Sequence, residues 1–187
     1  EMIEDVGGLD IATQKTYDSV HRLASIVDAK TQSTAYEYDQ ENHLTKETYA
    51  DSGFVTRTYD LDGRLTSKTD QNSDVVTYFY DDRDLLIEQD YGGAGVKLFS
   101  YDNLRRKTTE SDNNNNNLLV SSNYTYDNLH RMLTSAQQIG SGTILTDSKV
   151  YNAYGEVTEH TLASGKVIDY TYTALHQMDA IVSDVGN

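Results

Sequence analysis

Tyr59-Asp60-Leu61-Asp62-Gly63-Arg64-Leu65 has seven further imperfect copies along the chain, beginning at Tyr17, Tyr38, Tyr80, Tyr101, Tyr126, Tyr151 and Tyr172. The step is 21 residues from Tyr17 to Tyr101, 25 residues twice from Tyr101 to Tyr151, and 21 again to Tyr172. A fixed period of this length marks an array of stacked supersecondary units and decides the fold class ahead of any other signal.

Each copy reads as strand, turn, strand. Tyrosine favours strands, the aspartate that follows it can accept hydrogen bonds from amides two residues on, and glycine four residues after the tyrosine tolerates positive φ. This predicts a hairpin with a type I turn and a bulge. The aspartate recurs as Asp18, Asp39, Asp60, Asp81, Asp102 and Asp127, and becomes Asn152 and Thr173 in the last two copies. At the Gly63 position the other copies carry His21, Asn42, Asp84, Arg105, His130, Gly155 and His176. All but Arg105 are types enriched in the left-handed region. Six residues after the tyrosine stand Leu23, Leu44, Leu65, Leu86, Lys107, Met132, Val157 and Met178, apolar in all but one copy.

Between hairpins lies a second set of turn formers: Asp28-Ala29-Lys30, Ala50-Asp51-Ser52-Gly53, Asp70 to Asp74, and Gly92-Gly93-Ala94-Gly95. Two strands of about six to eight residues per repeat are expected, each about 20 to 27 Å long. The two 25-residue steps coincide with Asp112 to Asn117 and with Ile139-Gly140-Ser141-Gly142, which predicts lengthened second loops and unchanged strands. Gly7-Gly8 reads as a turn, with Ile11 to Thr16 as a strand leading into Tyr17. No 3.6-residue periodicity runs through the chain, so little or no helix is expected.

Tyr-Asp-x-x-Gly-Arg-Leu at this spacing resembles the YD repeat of the Rhs family, shared with shell-forming components of Tc toxins, bacterial wall-associated proteins and animal teneurins. The resemblance covers the chain from about Tyr17 onward. It implies an all-β array of consecutive antiparallel β-hairpins in a curved, spiralling sheet, part of a hollow β-shell. It also implies a role as wall around a toxic or effector polypeptide, with neighbouring shell repeats as further partners. The self-cleaving aspartate motif of the family is not found here. By the same resemblance the parent protein would be secreted or held at the cell surface.

Composition fits such a wall. The 187 residues carry 15 Lys and Arg against 30 Asp and Glu, a net charge of −15. That balance argues against nucleic-acid or anionic-membrane partners, which need basic patches. No stretch is long and apolar enough to insert in a bilayer. With no cysteine, disulfides and thiolate metal sites are excluded, and the absence of proline suits a sheet that needs its amides. Only 37% of residues are hydrophobic and the mean hydropathy is −0.64. A sheet wetted on much of both faces would reconcile this with extensive order. Glu1 in place of a start methionine suggests a single array, residues 1–187, cut from a longer shell. Its strand edges would then offer pairing to other copies.

Of the 15 tyrosines, eight hold the repeat position, and Tyr36, Tyr78, Tyr124 and Tyr170 lie two residues before it, on the same strand face. The rings are expected to cover one sheet face. The alternative is a platform for carbohydrate or a cell-surface receptor, for which an out-of-phase aromatic such as Tyr154 would be the sign. His21, His130 and His176 share one turn position and His43 follows it by one, so they read as turn residues, not metal ligands. Asp60-Leu61-Asp62-Gly63 begins like a calcium loop, but Gln71 stands where the closing glutamate belongs. Glu88 and Glu159 share one repeat phase and Glu47 and Glu110 the next, so no carboxylate pair is singled out for catalysis. The expectation is a non-enzymatic segment without a cofactor.

Overall fold

The computed structural model describes residues 13–114 and 117–183. All eight residues at the fourth position after the repeat tyrosine are left-handed: His21, Asn42, Gly63, Asp84, Arg105, His130, Gly155 and His176, with φ from 61° to 89°. In every copy the amide of this residue donates to the carbonyl three residues before it, as in Gly63 N to Asp60 O at 3.1 Å. The amide of the aspartate-position residue donates across the turn, as in Asp60 N to Arg64 O at 3.0 Å. This is the expected type I turn with a bulge. Arg105 therefore obeys the backbone rule despite its side chain, at the usual steric cost of a non-glycine residue there.

The second turns use the same device. Asp28, Tyr49, Asp70 and Leu162 occupy the aspartate place, and Thr31, Ser52, Ser73 and Gly165 take the positive φ. Gly92–Ala94 instead forms one turn of 3-10 helix. Each repeat is thus two consecutive hairpins closed by similar turns.

The chain divides into two compact units, Glu1–Phe79 and Tyr80–Asn187. In the first, β1 (Gln14–Tyr17), β2 (Leu23–Val27), β3 (Ser33–Tyr38), β4 (Leu44–Thr48), β5 (Phe54–Tyr59), β6 (Leu65–Thr69) and β7 (Val75–Tyr80) pair antiparallel in chain order. In the second, the same order holds for β8 (Leu86–Asp90), β9 (Val96–Tyr101), β10 (Lys107–Asn114), β11 (Asn117–Tyr126) and β12 (Met132–Ile139). It continues through β13 (Leu145–Tyr151), β14 (Val157–Thr161), β15 (Val167–Tyr172) and β16 (Met178–Ser183). The fold is all-β, with consecutive antiparallel hairpins and no α-helix among the described residues.

Most strands are five or six residues long, shorter than the six to eight expected, because each turn takes five residues. The 25-residue steps differ more. Their added residues lengthen the strands: β10 has eight residues and β11 ten, where β4 and β3 have five and six. Asn113 pairs with Val96 on one side and Leu118 on the other, so part of the asparagine run is strand. Residues inserted on both sides of a turn can continue the ladder and satisfy their own backbone groups, which a longer loop would leave to water. Asn115 and Asn116 lie outside the described residues, as do Gly7, Gly8 and Ile11.

Burial alternates along the strands that end in tyrosine. In β3, Thr34, Tyr36 and Tyr38 are half-buried while Ser33, Ala35 and Glu37 are exposed. Among the described residues only Val55 and Ser122 are buried outright, at 8% and 9% exposure. Among the described residues packing runs between neighbouring strands, with no second layer beneath either face of a unit. This is the sheet wetted on both faces that the composition predicts.

Candidate functional site

The repeat tyrosine closes a gap in the ladder. Between β4 and β5 the pairing runs from Thr48 opposite Phe54 to Lys46 opposite Thr56 and stops. Two residues beyond, the carbonyl of Leu44 receives the hydroxyl of Tyr59 at 2.9 Å. The arrangement repeats as Tyr38 to Leu23, Tyr101 to Leu86, Tyr126 to Lys107, Tyr151 to Met132 and Tyr172 to Val157, at 2.8 to 3.1 Å. The residue six after one tyrosine thus offers its carbonyl to the next tyrosine. That explains why Lys107 can replace an aliphatic residue, since the contact uses only backbone.

Among the described residues a bulge accompanies seven of these hairpins. Opposite Thr58 and Tyr59 stand Ser67 and Leu65, which leaves Thr66 unpaired, and Ala24, Thr45, Thr108, Leu133, Thr158 and Asp179 are skipped in the same way. Threonine hydroxyls reach back across several bulges, as from Thr45 to the Glu37 carbonyl at 3.2 Å. Threonine at this position in Thr45, Thr66, Thr108 and Thr158 was the available sequence signal.

The aspartate binds its own turn and an arginine. Asp60 Oδ1 accepts from the amides of Asp62 and Arg64 at 3.0 and 2.9 Å, and Oδ2 accepts from Arg64 Nε at 2.7 Å. Asp18, Asp102 and Asp127 do the same with Arg22, Arg106 and Arg131. The arginine then reaches the next repeat. Arg106 Nη1 donates to the Asp127 carbonyl at 2.8 Å and its guanidinium stands 4.8 Å from the Tyr126 ring centre. Arg22 and Arg131 make the equivalent contacts with Asp39 and Tyr38, and with Asn152 and Tyr151. One guanidinium so joins a carboxylate, a carbonyl and a ring face, a set that its planar fork and π-affinity suit.

All six aspartates are held below the ordinary carboxylate range. For Asp18 the Arg22 side chain is the largest cause; for Asp60 and Asp102 it is the backbone amide of Arg64 or Arg106, with the guanidinium adding to it. In Asp39, Asp81 and Asp127 desolvation is the largest single influence and opposes the shift, but turn amides and the His43, Arg83 or Arg131 side chain together outweigh it.

Four copies depart from the clamp, the eighth by carrying Thr173 and Gln177 in the aspartate and arginine places. In the fourth repeat the arginine moves two residues earlier, yet Arg83 still holds Asp81 and reaches the Asp102 carbonyl at 2.9 Å. In the second, His43 takes the arginine place: Nδ1 lies 3.0 Å from Asp39 and the ring stacks on Tyr59 at 4.7 Å. His43 is therefore a clamp residue and not simply a turn residue, a role hidden by its one-residue offset from His21. In the seventh repeat the charges change: Asn152 replaces the aspartate and Glu156 the arginine, joined by an Asn152 Nδ2 to Glu156 Oε2 bond of 2.5 Å.

Glu156 also meets His176 Nδ1 at 3.0 Å, and His176 packs edge-on against Tyr154 at 4.4 Å between ring centres. These residues line an open recess of about 400 Å³ with Tyr170, Tyr172 and Thr173. Two of the four glutamates weighed for catalysis are engaged in ion pairs: Glu47 with Arg57 at 2.5 Å, and Glu110 with Lys97 at 2.6 Å and with Lys107. The Lys107 and Lys97 bonds hold Glu110 below its usual carboxylate range. No cluster of histidine and carboxylate suited to a metal ion occurs among the described residues.

The family model described as RHS Repeat matches residues 17–53, 59–96 and 151–186. No curated protein matches the chain. Three of the solved structures that share the fold illustrate the likeness. TcdB2-TccC3 without its hypervariable C-terminal region superposes with a TM-score of 0.73 at 16% identity, over 92% of this chain and 10% of that one. A Photorhabdus luminescens Tc holotoxin pore carrying a TccC3 mutation gives 0.71 at 17%, over 92% and 10%. TcdB2-TccC3-TEV gives 0.71 at 11%, over 90% and 11%. The chain spans about a tenth of the length of these solved chains.

Proposed function

This chain belongs to the RHS repeat family, and from that premise we propose that it is a wall segment of a hollow shell enclosing a toxic or effector polypeptide until delivery. The observation that carries the reading is the near absence of a core. Outside Val55 and Ser122, the described residues of both units keep contact with solvent, while ring, carboxylate and guanidinium bind successive repeats within a unit, as at Arg106 and Tyr126. A sheet held together along its own plane leaves a face available to line a cavity. The likeness in fold to TcdB2-TccC3 supports this. In this reading the segment is not an enzyme, needs no cofactor, and is exported with its parent; its partners are the guest and neighbouring repeats.

Protease protection tests the proposal. The longest polypeptide that carries the array together with the region following it is treated with protease under native conditions. Encapsulation predicts that the guest survives intact and is digested only after the shell is opened. Digestion of the guest at the rate of the free guest would overturn the reading.

One observation favours a second reading, recognition of a glycan or cell-surface receptor. Leu104, Leu129, Tyr154 and Leu175 hold the same turn position in successive repeats and are 57%, 65%, 76% and 78% exposed. Binding on a glycan array that is abolished by Tyr154→Ala would support it, and binding that survives the substitution would place recognition elsewhere.

A further inference from the structure

The seventh repeat lacks the cation that the clamp uses elsewhere. Where Arg106 and Arg131 sit, the guanidinium covers the next tyrosine ring and donates to the next aspartate-position carbonyl. The matching groups after Glu156 are the Tyr172 ring and the Thr173 carbonyl. Among the described residues no cation stands over Tyr172, and the Thr173 carbonyl accepts only the His176 amide, at 3.0 Å. The Asp127 carbonyl, by contrast, accepts both the His130 amide and Arg106. A carboxylate, Glu156, replaces the cation beside these two groups, 15% exposed and facing the recess.

We propose that this recess binds a guanidinium group from outside the chain, seated on the Tyr172 ring, hydrogen-bonded to the Thr173 carbonyl and paired with Glu156. The ring and the carbonyl match what the internal arginines contact in other repeats, and Glu156 supplies the carboxylate that Asn152 lacks. The carboxylate retains acceptor capacity beyond the bonds from Asn152 and His176. A planar fork can address carboxylate, carbonyl and ring together, which a compact ammonium cannot. Tyr154, exposed at the mouth, supplies a further ring face. The net charge of −15 favours the approach of a cation. The inference rests on the broken clamp and is independent of encapsulation.

The test is titration of the whole chain with L-argininamide, with lysinamide, and with the peptide acetyl-Gly-Arg-Gly-amide, followed by the amide resonances of Gly155 and Thr173. The expected result is saturable binding of argininamide, at least tenfold tighter than lysinamide. Glu156→Gln should weaken it about tenfold. Asn152→Asp with Glu156→Arg rebuilds the internal clamp and should abolish it. Equal binding of argininamide and peptide marks a small-molecule source, and tighter binding of the peptide marks an arginine of a partner polypeptide. No saturable binding by the unmodified chain, or unchanged binding in Glu156→Gln or in the rebuilt clamp, would overturn the proposal.

Discussion

The hydroxyl of Tyr59 donates to the backbone carbonyl of Leu44 at the point where the ladder between their strands ends. The repeat tyrosine is therefore a surrogate strand partner. Removing only its oxygen leaves a half-buried carbonyl without that bond. Tyr59→Phe and Tyr151→Phe should each lower stability by about 1 kcal/mol, measured by urea unfolding. Tyr154→Phe, at an exposed ring outside the ladder, should stay within about 0.5 kcal/mol of the unmodified chain.

The arginine is expected to act through its shape as well as its charge. Arg106→Lys keeps the charge near Asp102 but cannot also reach the Asp127 carbonyl and cover Tyr126. The urea midpoint should fall, and hydrogen exchange should quicken at the hairpins on both sides of the junction. A change confined to the turn holding residue 106 would mean that the clamp does not couple repeats.

Acid should weaken the array steeply. The six clamp aspartates have folded pKa values below their unfolded value of about 3.9. Each therefore contributes stability that is present above that value and lost as pH falls through the folded pKa. The urea midpoint should hold between pH 7 and 5 and drop progressively below pH 4. Asp60→Asn should reduce both the midpoint at neutral pH and the size of the acid drop.

Gly63 faces two demands where most turn positions face one. Its φ is 79°, and a Cβ there would meet His43 Nε2 at 2.8 Å, the ring stacked on Tyr59. Gly63→Ala should destabilise by more than the roughly 1–2 kcal/mol of left-handed strain alone. Gly165→Ala, at φ 83° with open space around it, should show only the strain. Thermal unfolding of the two variants separates the contributions.

The hairpin array was legible because the tyrosine, aspartate and left-handed positions impose local rules that each copy must obey, Arg105 included. What stayed hidden depends on contacts 15 to 21 residues apart. Arg64 stood in the quoted motif, but only the structure shows that its counterparts grip the following repeat. His43 escaped because a histidine can stand in for guanidinium by pairing with Asp39 and stacking on Tyr59, an equivalence absent from residue type. The lengthened strands β10 and β11 were misjudged because polar asparagines favour loops locally, whereas an existing ladder can extend through them, as it does at Asn113 and Asn114. Glu156 was invisible as an anomaly until the arginine it replaces had a role.

The most direct measurement is a cryo-EM reconstruction of the longest polypeptide that contains this array, inspected for density bounded by the sheet. The account predicts polypeptide density beside one face of the repeats, with the Tyr–carbonyl and Asp–Arg junctions intact along the wall. A second layer of structure packed against the repeats as a solid core, or an open sheet with both faces in bulk solvent, would contradict it.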